Sequence, residues 1–540
     1  MLRSGLLHMR FAVFITLTLV PSVALLTASA GDLPLRGRIE PESAVEGTDQ
    51  HPADNSFVLL GVEIYGATAF GSDELSDAYK DKLTKRVTTE DLVEVARRIT
   101  QKYRDEGYFL SQAVVATESP ELGLASIKVI EGRITQVNFD GDRSDLAAPM
   151  MIGVEDEPIA RIADIDRRLS RINDIPGMSV TFRIRPDPND PARHELVLET
   201  RFDKSAGYAG INNRGADTAG PLQGFAGIAW NSLLAPRDQV QVGVFTAPKN
   251  PQEFTQVSAL YRYGFKGGDS LRFGAAASFS RDGFNPETPE TGGESTSLWM
   301  RYEKPLLRRQ SYGLWTSVGF DSLHLEHDWM TGGGYRDELR IARVALRGFQ
   351  TEDDYKTYIF VEVSSGLDIL GASEEAGMGR SRFDADAEFT KAYFDTSVYH
   401  DIGQYFGVYS ELSGQWSDGP LLLSEEYSVG GPALGRAYRF GEISGDKGLG
   451  ALLELRAGYA PDSDLITFAQ SYIFYDIASV WNESPTGWEQ QDLSSAGLGF
   501  RFDIMDRVSA GWEFAKPLTR TPYDEPDRDW RQFFQLSVSY

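Results

Sequence analysis

Ala496 to Tyr540 reads AGLGFRFDIMDRVSAGWEFAKPLTRTPYDEPDRDWRQFFQLSVSY. Ala496, Leu498, Phe500 and Phe502 share one face of an extended chain. Val508, Ala510, Trp512 and Phe514 share a face of the next segment, and Phe534, Leu536, Val538 and Tyr540 a face of the last. Period-two alternation marks strands with one apolar side. The connection from Asp503 to Arg507 is short and that from Leu518 to Asp529 is long. Short turns alternating with long loops, and strands that are apolar on one side only, predict a transmembrane β-barrel whose last strand ends on an aromatic residue.

The pattern continues upstream to about Phe202. Val240, Val242, Val244 and Thr246 alternate with Gln239, Gln241, Gly243 and Phe245. Val257, Ala259, Tyr261 and Tyr263 alternate with Ser258, Leu260 and Arg262. Leu271, Phe273, Ala275, Ala277 and Phe279 repeat the motif, and Leu453, Leu455, Ala457 and Tyr459 alternate with Glu454, Arg456 and Gly458. Apolar residues on one face and charges on the other predict a lipid-facing exterior and a polar lumen. At roughly 10 residues per strand plus connections, residues 202–540 hold about 16 antiparallel strands, and 14 or 18 also fit. A soluble sandwich would alternate as well.

Composition agrees with the barrel. Mean hydropathy is −0.31, too polar for a helical membrane protein. The 540 residues include no cysteine, which removes disulfides, thiol nucleophiles and cysteine-bound metals. A net charge of −26 argues against a nucleic-acid partner.

Residues 1–30 read as a signal peptide: Arg3 and Arg10, an apolar core from Phe11 to Thr27, then Ala28-Ser29-Ala30. Residues 31–56 are polar and rich in Pro, Asp and Glu, and read as a linker. Residues 57–132 predict a strand (Phe57–Ile64), helices at Ser72–Leu83 and Thr89–Arg104, and strands at Gln112–Thr117 and Leu124–Ile130. Residues 133–201 predict a strand at Ile134–Phe139, a helix at Ile159–Ile172, and strands at Met178–Ile184 and Glu195–Thr200. The two form a tandem of small α+β modules.

One barrel connection is too long and polar for a turn: LLLSEEYSVGGPALGRAYRFGEISGDKGLG, Leu421 to Gly450. It holds Gly430 and Gly431, then Arg436 between Gly435 and Ala437, then Tyr438. Downstream, strand phase turns Ile473, Tyr475 and Ile477 outward and Phe474, Asp476 and Ala478 inward. A lone lumen carboxylate wants a partner, and an arginine binds one bidentately. The expectation is a loop folded into the lumen, with Arg436 on Asp476. A solvated surface loop fits the same spacing.

His324 and His327 lie three apart, so a strand turns them to opposite faces and they make a poor metal pair. Acidic runs around Asp354 and at Glu374-Glu375 read as solvated loops. No nucleophile–base pattern stands out, so no catalytic residue, cofactor or metal is expected.

The chain resembles the outer-membrane transporters of two-partner secretion, the FhaC/ShlB/HecB family within the POTRA-plus-barrel superfamily. Val129 to Ile134 (VIEGRI) matches the end of a first POTRA domain, and Asn212-Asn213-Arg214-Gly215 through Gly220 the first barrel hairpin. Gln415, Glu425, Tyr427, Gly430, Gly431, Arg436 and Tyr438 fall on the family's QxS…GG…VRGY signature. Phe474, Asp476 and Ala478 fall on FxDxG, and Gly497, Gly499 and Arg501 on the following strand. Both motifs depart from the family's: Gly435-Arg436-Ala437-Tyr438 replaces VRGY, and Ala478 replaces the last glycine of FxDxG. The family's N-terminal plug helix is not carried over, since residues 31–56 show no convincing amphipathic helix.

The resemblance implies a monomeric barrel in outer-membrane lipid with two periplasmic POTRA domains. These would capture an unfolded partner exoprotein for passage through the barrel, with no nucleotide or proton gradient. Conductance would depend on the Arg436 loop and Asp476. A BamA-like factor that assembles outer-membrane proteins is the alternative, although it would ordinarily carry more POTRA modules than this arm has room for.

Overall fold

The computed structural model describes residues 37–39, 56–116, 121–216, 219–281, 292–328, 333–373, 376–484 and 487–540. The predicted signal peptide and the Glu374-Glu375 run lie outside them. One unit spans Gly31–Phe202 and the other contains Asp203–Tyr540.

The first unit opens with β1 (Gly37–Ile39). Its first module then holds β2 (Phe57–Val58), β3 (Gly61–Tyr65), α1 (Ser72–Ser76), β4 (Arg86–Val87), α2 (Thr89–Asp105), β5 (Gln112–Val115) and β6 (Leu124–Ile130). β3 and β5 flank β6, parallel and antiparallel respectively. α2 forms because Leu92, Val95, Ala96, Ile99 and Tyr103 make one buried stripe. Thr88 and Asp91 exchange bonds at its start as a capping box.

Two predictions for this module fall short. The expected Phe57–Ile64 strand breaks because Leu59 bonds to Lys85 and Thr84 while Leu60 donates to Gly123. The expected helix from Ser72 to Leu83 stops at Ser76 and passes through a 3-10 turn at Lys80–Lys82.

Glu131 ties the end of β6 to the module core. Its carboxylate accepts from Thr68 N–H at 2.7 Å, Ala69 N–H at 2.8 Å and the Tyr103 hydroxyl at 2.7 Å. Burial works to raise its pKa, but the bonds from Thr68, Ala69 and Tyr103 outweigh it and hold the carboxyl below the ordinary Glu value. A depressed folded pKa contributes stability above the unfolded value, lost as pH falls through the folded one. Glu131→Gln is therefore expected to destabilise the module by about 1–3 kcal/mol at neutral pH. The difference should shrink on acidification below about pH 4, read by hydrogen exchange at the Thr68 and Ala69 amides.

The second module holds β7 (Arg133–Gly141), α3 (Ser144–Met151), α4 (Ile162–Asn173), β8 (Met178–Asp187) and β9 (Asp190–Phe202), in sheet order β1-β8-β9-β7. Pro149 sits inside α3, a helix absent from the sequence reading; its Leu146, Ala147, Met150 and Met151 are buried in the module core. α4 begins at Ile162, three residues later than expected. β1 corrects the linker reading for three residues: it adds in parallel to β8, with Arg38 opposite Arg183. An edge strand presents unpaired backbone groups that an extended segment can satisfy. The modules join through Ile162 N–H on Gly107 O at 3.0 Å and the Arg161 guanidinium 4.5 Å over the Tyr108 ring.

The second unit is a closed antiparallel barrel of sixteen strands, as expected. These are β10 (Ser205–Asn212), β11 (Gln223–Asn231), β12 (Asp238–Thr246), β13 (Phe254–Gly264), β14 (Ser270–Arg281), β15 (Gly292–Arg308), β16 (Tyr312–Asp328), β17 (Gly334–Thr351), β18 (Tyr355–Gly366), β19 (Thr390–Ile402) and β20 (Phe406–Ser417). After a hairpin of β21 (Tyr427–Val429) and β22 (Ile443–Gly445), the barrel continues with β23 (Lys447–Tyr459), β24 (Ile466–Ser484), β25 (Gly487–Ile504), β26 (Val508–Pro517) and β27 (Arg531–Ser539). Each strand pairs with the next, and β27 closes on β10 over five residue pairs, Tyr208–Ser539 to Asn212–Gln535.

Alternation decides which face meets lipid. On β24, Ile473, Tyr475 and Ile477 are 56%, 46% and 47% exposed, whereas Phe474, Asp476 and Ala478 are 5%, 0% and 2%. No helix among the described residues is long and apolar enough to cross a membrane; the strands do so.

Candidate functional site

The connection between β20 and β23 folds inward. β21 and β22 pair antiparallel, Ser428 opposite Ser444, and carry the segment from Gly430 to Glu442 as a folded tip. Val429, Leu434, Ala437, Tyr438 and Ile443 pack against Leu452, Phe474, Val480 and Leu493 of the wall. Burial of that apolar set holds the loop in the lumen, and the solvated-loop alternative falls.

The tip turns where side chains do not fit. Gly430 has φ +121°, and a Cβ there would stand 2.0 Å from Arg439 O. Gly435 has φ +73°, with Gly430 Cα 3.1 Å from where its Cβ would be. These left-handed turns bring two glycines together and aim Arg436 at the wall. Gly431 donates to Tyr438 O at 3.2 Å. Tyr438 is fully buried, and its hydroxyl donates to Ser494 O and Arg520 O, each at 3.2 Å.

Arg436 and Asp476 do meet, but not as expected. The Arg436 backbone N–H, not its guanidinium, donates to Asp476 Oδ2 at 3.1 Å. Asp476 Oδ1 accepts from the Ser495 hydroxyl at 2.7 Å and its N–H at 3.2 Å. The guanidinium goes to Glu454 of β23 and lies 3.4 Å from Glu513 of β26, over the Phe474 ring at 5.0 Å. The correction has a geometric cause: the tip enters with its backbone against β24, so the long side chain passes Asp476 and ends between β23 and β26.

Glu454 is the hub that the sequence reading did not single out. It is fully buried and also binds Arg456 at 2.6 Å and Arg501 at 2.9 Å. Glu513 binds Arg214 at 2.6 Å and accepts from Tyr472 at 2.8 Å. The only sequence signal was phase, since Glu454 is an acid between two lipid-facing leucines.

The tip also touches both sides of the β27–β10 closure. Arg214, just after β10, donates to Arg436 O at 3.0 Å, and Arg439 donates to Asn213 O at 3.0 Å. From β27, Arg531 donates to Ala437 O at 3.0 Å. The three bonds are charge-assisted, the stronger kind, and tie the tip to both seam strands.

His324 and His327 lie on β16 and face apart, as phase predicts. His324 Nδ1 lies 2.6 Å from Glu338 Oε1, while buried His327 stacks on Tyr335 with ring centroids 5.4 Å apart. Among the described residues no group of three His, Asp or Glu could hold a metal. The Asp354 run is an exposed turn between β17 and β18.

Comparison with known proteins adds the following. Residues 57–132 match the POTRA domain of ShlB type, and residues 197–502 match the haemolysin secretion/activation protein ShlB/FhaC/HecB. The chain is 21% identical over 510 residues to the heme/hemopexin transporter protein HuxB of Haemophilus influenzae, covering 89% of each. The solved structure of CdiB from Escherichia coli superposes with a TM-score of 0.71 at 18% identity, covering 97% of this chain and 96% of that one. BamA from Haemophilus ducreyi lacking POTRA domains 1-3 gives 0.52 at 13% identity, over 90% and 100%. The last two likenesses concern fold alone.

Proposed function

From the premise that this chain belongs to the haemolysin secretion/activation ShlB/FhaC/HecB family, we propose that the Arg436 loop is a releasable plug in a protein-export pore. The chain is a two-partner secretion transporter of the outer membrane, with its POTRA region in the periplasm. Its partner is a secreted exoprotein. The family is one of secretion channels.

The partner arrives unfolded, since strand addition at a sheet edge takes an extended segment. Both modules of the arm act as POTRA domains and receive it by strand addition at a sheet edge. The barrel works as a monomer in outer-membrane lipid. The loop stays docked at rest through Arg436 on Glu454 and Glu513, Asp476 on the tip backbone, Phe474 under the guanidinium, the Gly430-Gly431 turn and buried Tyr438. Incoming chain displaces the tip, and the wall clusters draw it back afterwards.

One observation carries this: a buried arginine on a loop, not on a strand, completes ion pairs with two wall strands. A purely structural loop would be served as well by apolar packing, since a buried pair is weak evidence of stability. The test is co-expression with the exoprotein encoded beside this gene. Wild type should place it outside the cell, and deletion of residues 57–131 should stop that while the barrel stays inserted. Misassembled outer-membrane proteins on depletion, with no exported partner, would favour the BamA-like assembly role.

A further inference from the structure

The tip is not the loop's only charged attachment. Glu425 lies on the leg that descends from β20 into the lumen, just before β21, and is 1% exposed. Its carboxylate sits 2.8 Å from the Arg343 guanidinium on β17 and 2.7 Å from Lys391 Nζ on β19. Its carbonyl accepts from Lys391 Nζ at 2.8 Å and from Gln415 Nε2 on β20 at 2.9 Å. Every group that holds Glu425 therefore belongs to the wall, on strands different from those that hold Arg436.

The charges have the opposite sense at the two places. At the tip the loop supplies the cation and the wall the carboxylates. At the leg the loop supplies the carboxylate. Arg343 also binds Asp321 at 2.7 Å and Glu362 at 3.1 Å, and Asp321 in turn pairs with Arg301. The wall cluster of Arg301, Arg343 and Lys391 against Asp321 and Glu362 carries one cation in excess until Glu425 arrives. Leaving such a cation buried and alone is strongly unfavourable. The leg is thus held by a demand of the wall itself, independent of whether Arg436 is engaged.

We propose that Glu425, with Arg343 and Lys391, is a second clamp that positions the loop for transport, so that releasing Arg436 swings the tip about a fixed leg and the loop does not leave the lumen. This rests on the plug reading above and adds where the plug pivots. A pivot keeps the tip within reach of Glu454 after the exported chain has passed.

The test is ion conductance of the full chain in planar bilayers, with export of the partner followed in parallel. Arg436→Ala and Glu425→Gln are each expected to raise mean conductance by less than about twofold, because the remaining clamp retains the loop, and the double variant by about fivefold or more. Lys391→Met weakens the same clamp from the wall side and leaves Arg343 on the Glu425 carboxylate; combined with Arg436→Ala it should still raise conductance above the product of the two singles, by less than Glu425→Gln does, and it replaces Glu425→Gln if that variant does not insert. A double variant whose conductance equals the product of the singles would overturn the second clamp. Cooperative conductance with no partner exported by wild type would leave the clamp standing and remove the export reading. Export by wild type with multiplicative conductance would do the reverse.

Discussion

Arg436→Ala is expected to leave the barrel inserted and heat-modifiable while export of the partner falls by about tenfold or more, because the tip no longer returns to its seat between chains; tenfold corresponds to about 1.4 kcal/mol. Removing one member of a buried pair costs about 3–5 kcal/mol where its partner is left alone. Here the wall partners are not left alone. Glu454 keeps Arg456 and Arg501, and Glu513 keeps Arg214 and the Tyr472 hydroxyl. The loss therefore falls on loop docking and not on the wall. The check is secreted exoprotein measured beside surface protease protection and the heat shift of the barrel. Normal export would sink the plug.

Glu454→Gln should do more damage. It preserves shape but withdraws the charge on which three guanidinium groups converge, those of Arg436, Arg456 and Arg501. The neutral amide cannot satisfy them, and buried Arg436 is left against Arg456 and the partly exposed Arg501. Both the loop and the β23–β25 wall lose their tie, so export and the barrel's thermal stability should fall together, the latter by about 3–5 kcal/mol. Glu454→Asp should recover part of both. The double Arg436→Ala/Glu454→Gln should be milder than the two effects added, since removing the arginine relieves one repulsion. Asp476→Asn is expected to be the mildest of the set. Its two oxygens accept from Arg436 N–H and from Ser495, and an asparagine keeps one acceptor. Equal losses in Asp476→Asn and Glu454→Gln would show that backbone docking, not the guanidinium, holds the tip.

These rankings separate two kinds of information. The barrel was legible in the chain because a strand's side chains alternate with a fixed period of two, so Phe474, Asp476 and Ala478 had to share a face once Ile473, Tyr475 and Ile477 took the other. The helix α2 was legible, since the predicted Thr89–Arg104 and the observed Thr89–Asp105 differ by one residue. α3 was not, since Pro149 reads as a breaker while a single-proline helix of two turns can be held by Leu146, Met150 and Met151 in a core.

Legible in the chain alone were a barrel of about sixteen strands, the lumen side of those strands whose alternation is unbroken, and an inward Asp476; the Arg436 loop was open to both a lumenal and a solvated reading. Which charges meet is settled by folding. Arg436 and Glu454 are 18 residues apart, Arg436 and Glu513 77, and Arg343 and Glu425 82. Pairing over such separations depends on the register of each strand against its neighbour and on how deep the loop descends. Neither is a local property of the chain. A shift of one residue in β23 would turn Glu454 to lipid and leave Arg436 facing Leu453 or Leu455.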